Sequence, residues 1–384
     1  MGYFSSALKK CRKPGRFAIE IVELARLAAR THSPGSLKYP RTFCHALLLC
    51  LKEGYQPKEA YGLGLFDPDH PPEFYKKFMS KQKMTKLQKM LNPKSWSYLT
   101  EDKSVFYNFC SAFQIPTPKL YGLFFRKTPG WGFGNEILTT RKDWISFFEE
   151  KIPEEFAIKP SRGVYGQKIT ILKKTDKGFL NWATGRHLSA GDVCDLMEKD
   201  SKFDRFVIQE RMKSHPEIVR LTGNSFLQTV RISTYVNQKD ECRILHATLK
   251  MILGDNVIDN FYLGRTGNIV TPVEQNRGIL RKGKMAGGAR GALKSVSIHP
   301  KTGVSIEGFQ MPLWQECRAL VKECVFKFLP IRTIGWDVGI TEKGPVIVEG
   351  NMWWDPPNQT GRGTVLLDAV MEDSRVRIFP EMKE

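Results

Sequence analysis

The segment Gly335-Trp-Asp-Val-Gly-Ile-Thr-Glu-Lys-Gly-Pro-Val-Ile-Val-Glu-Gly-Asn351 constrains the fold more than any other stretch. Two apolar runs flank a polar turn at Thr341–Gly344, the pattern of a β-hairpin. With the turn centred on Lys343, Asp337 lies opposite Glu349. Side chains alternate between faces with a period of two, so Glu349 and Asn351 share a face. Three oxygen-bearing side chains then converge at one end of a sheet. Few, hard oxygen ligands suit Mg²⁺, which protein and phosphate commonly hold together. Glu349 sits among Val346, Ile347 and Val348, where a carboxylate without a partner is costly. The competing reading is a surface hairpin whose polar residues face water.

Two further segments carry chemistry. Phe156-Ala-Ile-Lys-Pro-Ser-Arg-Gly-Val-Tyr-Gly-Gln-Lys168 reads as a strand running into a loop with glycines at 163 and 166. Glycines let backbone N–H groups approach an anion. Lys159 stands where the strand ends and can act as a point cation for phosphate. No Gly-Lys-Ser/Thr follows, so this is not a Walker A loop, and an ordinary strand pair with a Gly-rich turn fits as well. Phe206-Val-Ile-Gln-Glu-Arg-Met212 is an apolar strand ending in polar residues. It reads either as a linker offering backbone groups to a nucleobase or as a plain strand end.

The chain of 384 residues carries a net charge of +19, and the charge is uneven. Residues 1–95 hold 18 Lys and Arg against 7 Asp and Glu. That excess speaks to partners rather than fold. It is open to an anionic membrane surface or to a solvated face, above all on the expected helix Pro72–Leu91 with its six lysines. The longest apolar run, Ala46–Leu51, is far short of the ~20 residues that span a bilayer. The first residues lack an apolar stretch of signal-peptide length. Gly2 and Ser6 fit a loose myristoylation pattern that chance also explains. Eight cysteines without a Cys-x-x-Cys pair read as reduced thiols. A cytoplasmic protein is expected, with peripheral attachment to the inner face of the membrane left open.

Residues 1–95 read as a basic helical region, with helices expected at Phe17–Ala29, Tyr39–Leu51 and Pro72–Leu91. Beyond it, strands and helices mix in the manner of an α+β fold. Helices are expected at Asp102–Phe113, Arg141–Lys151, Gly191–Lys199 and Pro312–Phe328. Strands are expected at Phe156–Lys159, Lys168–Leu172, Phe206–Glu210, Thr229–Val236, Arg243–Ile252, Ile334–Ile340 and Val346–Gly350.

Taken in order, these segments resemble the ATP-grasp superfamily. Asp102-Lys103 heads a helix, a strand ends in Lys159-Pro160 before a Gly-rich loop, another ends in a hinge, and Asp337 with Glu349-x-Asn351 closes the set. Gln228-Thr-Val-Arg231, Ile258-Asp-Asn260-Phe261 and Gly335-Trp-Asp337 make the chain most similar to the sugar-transfer associated branch. The resemblance implies two α+β lobes gripping ATP, in modules 96–212 and 213–384. By carry-over, Lys103 and Lys159 bind phosphates, and Gly163 to Gly166 form a lid. Gln209, Glu210, Arg211 and Met212 read adenine, while Asp337, Glu349 and Asn351 hold Mg²⁺. Many relatives carry Arg where Gly335 stands, so another cation must stabilise the transferring group, Arg231 first and Arg265 second. Asn260 and Phe261 fall at the acceptor pocket. Met352-Trp-Trp-Asp-Pro replaces the small residues common in relatives and leaves the shape of that pocket open.

The implied chemistry is an ATP-dependent ligase for a glycan-related or other acidic substrate, of the kind used in polysaccharide biosynthesis. A kinase of the same fold that phosphorylates a hydroxyl is the second reading. A non-enzymatic basic binder is the third, and nucleic acid is not expected as a partner.

Overall fold

Two antiparallel sheets follow one another along the chain in this computed structural model, which describes residues 14–163, 166–287 and 293–373. The first contains β1 (Leu120–Phe125), β2 (Gly130–Trp131), β3 (Ile137–Leu138), β4 (Glu155–Pro160), β5 (Thr170–Thr175), β6 (Gly178–Asn181), β7 (His187–Leu188) and β8 (Arg205–Glu210). Their order is 3-2-1-8-4-5-6-7. Phe124, Phe156 and Phe206 face the helices Arg141–Ser146 and Ala190–Glu198, where Trp144, Phe147 and Met197 complete an aromatic core. Leu123 and Val207, one position along from Phe124 and Phe206, face the opposite core with Tyr107 and Ile115. Both faces of this sheet are therefore covered.

The second sheet contains β9 (Thr229–Val236), β10 (Cys242–Met251), β11 (Ile269–Pro272), β12 (Gly283–Met285), β13 (Lys294–Val296), β14 (Thr333–Thr341) and β15 (Gly344–Asn351). Their order is 13-12-11-10-9-14-15. Alternation divides it sharply. Val230, Ile232, Ala247, Leu249, Trp336 and Val338 pack with Val321 and Val325 of the helix Trp314–Lys327. The residues between them, among them Arg231, Thr248, Lys250 and Asp337, turn to the other face and line cavities.

The N-terminal helices Pro14–Thr31, Tyr39–Leu51 and Pro57–Gly62 share a core of Leu24, Ala28, Ala46 and Leu63. The single helix expected over Pro72–Leu91 is instead two, Pro72–Tyr75 and Lys81–Leu91. The break has a cause far away in sequence. The side chain of Asn358 accepts from Met79 N at 3.0 Å and donates to Met79 O at 2.7 Å, and Ser80 then caps the second helix by accepting from Lys83 N. That helix buries Met84, Leu87 and Leu91 against Trp354, Val365 and Leu366, so its apolar face is spent inside the protein.

Two other expectations shift. Lys168 has a left-handed backbone (φ 56), so its strand begins only at Thr170. The hairpin pairs Thr341 with Gly344 and Val338 with Ile347, a count that by itself puts Asp337 opposite Val348. The observed partner is Glu349, because a bulge interrupts the ladder after Val338. The expected pairing is present, but the bulge, not the turn, produces it. No described helix is long and apolar enough to cross a membrane. Gly2, Ser6, Cys11, Val164, Tyr165 and Arg290 lie outside the described residues.

Candidate active site

Register brings the charged residues of the second sheet into one row. β9 pairs Arg231 with Asp337 of β14, and β14 pairs Asp337 with Glu349 of β15. Cross-strand neighbours on one face touch, and the Arg231 guanidinium donates to Asp337 from Nε at 2.7 Å and from Nη2 at 2.8 Å. Lys250 on β10 reaches Asp337 Oδ1 at 3.1 Å. Burial works to raise the Asp337 carboxyl, but Arg231 and Lys250 more than offset it and hold that group well below the usual carboxylate range.

The helix Lys103–Ala112 meets this row from the opposite side. Its first residue, Lys103, donates from Nζ to Gly163 O at 3.1 Å and to Glu349 Oε1 at 3.3 Å. Asp102 caps the helix by accepting from Ser104 N, and it also accepts from the Ser104 and Ser161 hydroxyls. One buried carboxylate thus fastens the helix start to the end of β4. Lys159, on β4, makes no hydrogen bond or ion pair among the described residues. Burial, followed by the charge of Lys103, pushes its ammonium down to about 8. An anion entering here would relieve both penalties.

These groups line one cleft of about 440 Å³. It collects Lys103, Lys159, Gly163, Gly166, Gln209, Glu210, Arg211, Met212, Arg231, Asn260, Asp337, Glu349 and Asn351. Phe261 and Arg265 fall outside it and line a neighbouring cavity. Gly166 adopts φ 69, and a Cβ there would stand 3.1 Å from Ile258 Cγ2, so the loop approaches the opposite wall closely. The hinge side chains are engaged by protein. Gln209 Oε1 accepts from Tyr107 OH at 2.9 Å, Glu210 accepts from Lys119 N at 3.1 Å, and Arg211 pairs with Glu155 at 2.6 Å beneath Trp182 and Phe226. The strand ends at Glu210, and the chain past it runs along the cleft wall. His215 caps the helix Pro216–Thr222, its Nδ1 accepting from Glu217 N at 3.2 Å.

Glycine at 335 has a steric reason. A Cβ there would meet Trp354 Cβ at 2.7 Å and Arg231 Cδ at 3.2 Å. The Arg231 stem and Trp354 occupy the space that a side chain at 335 would need. Among the described residues no three His, Cys, Asp or Glu side chains cluster tightly enough for a metal. A divalent ion held by Asp337, Glu349 and the Asn351 oxygen would need further oxygens from its ligand. That is how Mg²⁺ is shared with phosphates, so the donor set fits it.

Four contributors were missed in the sequence. Lys250 alternates with His246 and Thr248 along β10, a period-two polar signal that marks the same face as Arg231. Asp259 accepts from Thr229 N and Oγ1 at 2.7 and 2.6 Å and so pins the 258–261 segment to β9. Trp354, buried, donates to Thr333 Oγ1. Tyr107 OH lies 2.9 Å from the Val348 carbonyl of the bulge as well as from Gln209 Oε1, and its one proton serves one of them at a time. The last three reveal themselves only through tertiary contact.

Comparison with known proteins adds the family. The model described as sugar-transfer associated ATP-grasp matches residues 82–371, about three quarters of the chain. No curated protein sequence matches significantly. Among solved structures, the L-amino acid ligase of Bacillus licheniformis is 10% identical with a TM-score of 0.35, over 66% of this chain and 41% of its own. D-alanine–D-alanine ligase of Bacillus anthracis is 12% identical with a TM-score of 0.38, over 78% and 75%. Phosphoribosylamine–glycine ligase of Thermotoga maritima is 13% identical with a TM-score of 0.42, over 74% and 57%. The chain therefore spans about two fifths of the first of these proteins. The family match, not these distant likenesses, carries the assignment.

Proposed function

The chain belongs to the sugar-transfer associated ATP-grasp family, and from that premise we propose that it is an ATP-dependent ligase which joins an acidic substrate to an amine. One observation supports this most: carboxylates and cations alternate along one sheet face, Arg231 then Asp337 then Glu349, with Lys103 and Lys159 facing them in a single cleft. Such an array suits a polyanion that brings its own counter-ion, and it lacks the paired nucleophile and base of covalent catalysis. The glycan-related nature of the acid is part of the proposal.

In this reading Lys103 and Lys159 lie against the phosphates, and the backbone beyond Glu210 contacts the base. Asp337, Glu349 and Asn351 would hold Mg²⁺, which would supply charge neutralisation at the transferring phosphoryl group. A carboxylate oxygen of the acid attacks the γ-phosphorus, the bond to the β-phosphate oxygen breaks, and ADP leaves. The amine nitrogen attacks the carbonyl carbon of the acyl phosphate. Phosphate departs, and the nitrogen gives up one proton. Arg231 stands beside the metal carboxylate on the acceptor side, where it can offset charge on the transferring group. Gly163 and Gly166 border the cleft, where they would help to exclude water from the acyl phosphate.

The test is ADP formation with Mg²⁺ across pairs of acids and amines, read together with product mass. A condensed product with released phosphate supports ligation. A product heavier by phosphate alone, on a hydroxyl, replaces the ligase with a kinase. ATP-independent binding to anionic vesicles, without any ADP, overturns both.

A further inference from the structure

A second cavity of about 280 Å³ adjoins the first and shares Lys81, Arg231, Lys250, Asn260 and Asp355 with it. Its outer wall comes from the N-terminal helices, through Gln56, Lys58, Glu59, Leu63 and Lys81. All five precede residue 82, where the family match begins.

The wall is fastened to the rest of the site. Leu263, on the loop that carries Phe261 and Arg265, packs into the core of the N-terminal helices. Gly62 stands so close that an added Cβ would lie 3.4 Å from Leu263 Cδ1. Tyr262 and Leu263 both hold left-handed backbone, at φ 41 and 54. Residues other than glycine take that conformation where the surroundings impose it, and here the seat of Leu263 among the helices does so. Lys81 Nζ meets Asp355 Oδ1 at 2.6 Å, and Glu59 Oε1 accepts from Lys81 N at 2.9 Å. The helices therefore fix where Arg265 stands.

Charge on the lining favours an anion. Arg231 and Lys250 engage Asp337, Lys81 engages Asp355, and Lys58 engages Glu23. Arg265 makes no ion pair among the described residues and lies over the Tyr262 ring at 4.9 Å. A lone exposed arginine is most often only a solvated charge. This one lines a cavity that opens onto the groups expected to handle phosphate.

We propose that the second cavity seats the acid substrate, that this acid carries a second anionic group, and that the N-terminal helices select it by positioning Arg265 to bind that group. The inference rests on the reading of the first cleft as the ATP site. The reacting carboxylate would enter past Arg231 and Asn260, two of the residues common to both cavities. Choice of substrate then lies partly in a region the family match does not include.

The experiment uses the full chain with a non-hydrolysable ATP analogue and Mg²⁺. Acetate, succinate, citrate and glucuronate are the probes, chosen to separate single from paired anionic groups and a sugar acid from simple acids. Hydrogen exchange is followed at 56–63 and 260–265, and affinity by calorimetry. A probe with two anionic groups should protect both segments. R265Q should weaken its binding about tenfold or more, as expected for a lost charged hydrogen bond, and leave the analogue's affinity within about twofold. K58E, at an exposed ion pair, should act in the same direction and more weakly. The proposal is overturned if no probe protects 56–63, if acetate binds as well as succinate, or if R265Q weakens the analogue as much as the acid. Binding and protection without ADP formation from authentic ATP would leave this inference standing and remove the ligase. ADP formation with no protection of the helices would do the reverse.

Discussion

The row Arg231, Asp337 and Glu349 in the first cleft comes from neighbouring strands, whereas the outer wall of the cavity beside it comes from helices and loops far apart in the chain. In the cleft, Arg231, Asp337 and Glu349 are set by sheet register, which a hydrogen-bond ladder fixes to within one residue. In the second cavity, Lys58, Leu263 and Asp355 come together only because a helical core and two loops pack. The contrast separates two demands. Chemistry on a phosphate needs donors held to a fraction of an ångström, which strands deliver. Recognition of one acid among many needs surfaces that can change without disturbing the ladder, which loops and appended helices supply.

The sharpest way to break this division is Glu349→Gln. It removes one charge from the strand-borne row, and turnover measured as ADP formation should fall about a thousandfold or more. Acid binding in the second cavity should persist. Activity near that of the unaltered protein would remove Glu349 from the phosphate site. Next in size is Tyr107→Phe, which removes the one hydroxyl proton that lies between Gln209 Oε1 and the bulge carbonyl of Val348. Stability in a urea titration should drop by about 1–3 kcal/mol, the usual cost of buried acceptors left unpaired. ATP affinity should fall with it, and an unchanged midpoint would show that the bulge does not depend on Tyr107.

Leu263→Ala probes the other side of the comparison. Emptying the loop's seat in the helical core should weaken acid binding several-fold, by about 1 kcal/mol, while ATP affinity holds. Equal losses for both ligands would mean that the two cavities are not separable. The smallest effect belongs to Glu59. Burial pushes its carboxyl up to about 7, despite the N–H groups of Lys81 and Gln56 that it accepts from. With a folded value above the unfolded one, the native state binds the extra proton between about pH 4.5 and 7. Stability is therefore lost as pH rises through that window, and Glu59→Gln should flatten the slope. Its advantage over the unaltered chain should grow from pH 5 to pH 8. Parallel melting curves for the two proteins from pH 5 to 8 would contradict the burial argument.

What the sequence disclosed follows the same line. The α+β class, the helix Tyr39–Leu51 and the strand Thr229–Val236 were legible because each is a local pattern of apolar spacing. So was the grouping of Lys103, Lys159, Arg231, Asp337, Glu349 and Asn351, since ordered motifs and period-two alternation carry it. The break between Pro72–Tyr75 and Lys81–Leu91 was not legible, because its cause is Asn358. Nor was the bulge that sets Glu349 opposite Asp337, since a turn can be counted but a slipped carbonyl and its Tyr107 donor cannot. Arg265 looked like a partner of the transferring phosphate from its place in the chain. Only packing shows that it lines the adjoining cavity and not the first cleft.

The clasp between Met79 and Asn358 joins residues 279 positions apart. During synthesis the helix Lys81–Leu91 emerges long before Trp354, Val365 and Leu366, which cover Met84 and Leu87. Its greasy side stays bare until those residues have been made. Contacts of such long separation close slowly, and segments left uncovered meanwhile invite aggregation. The helix Lys81–Leu91 is therefore expected to settle only once those distant residues have left the ribosome.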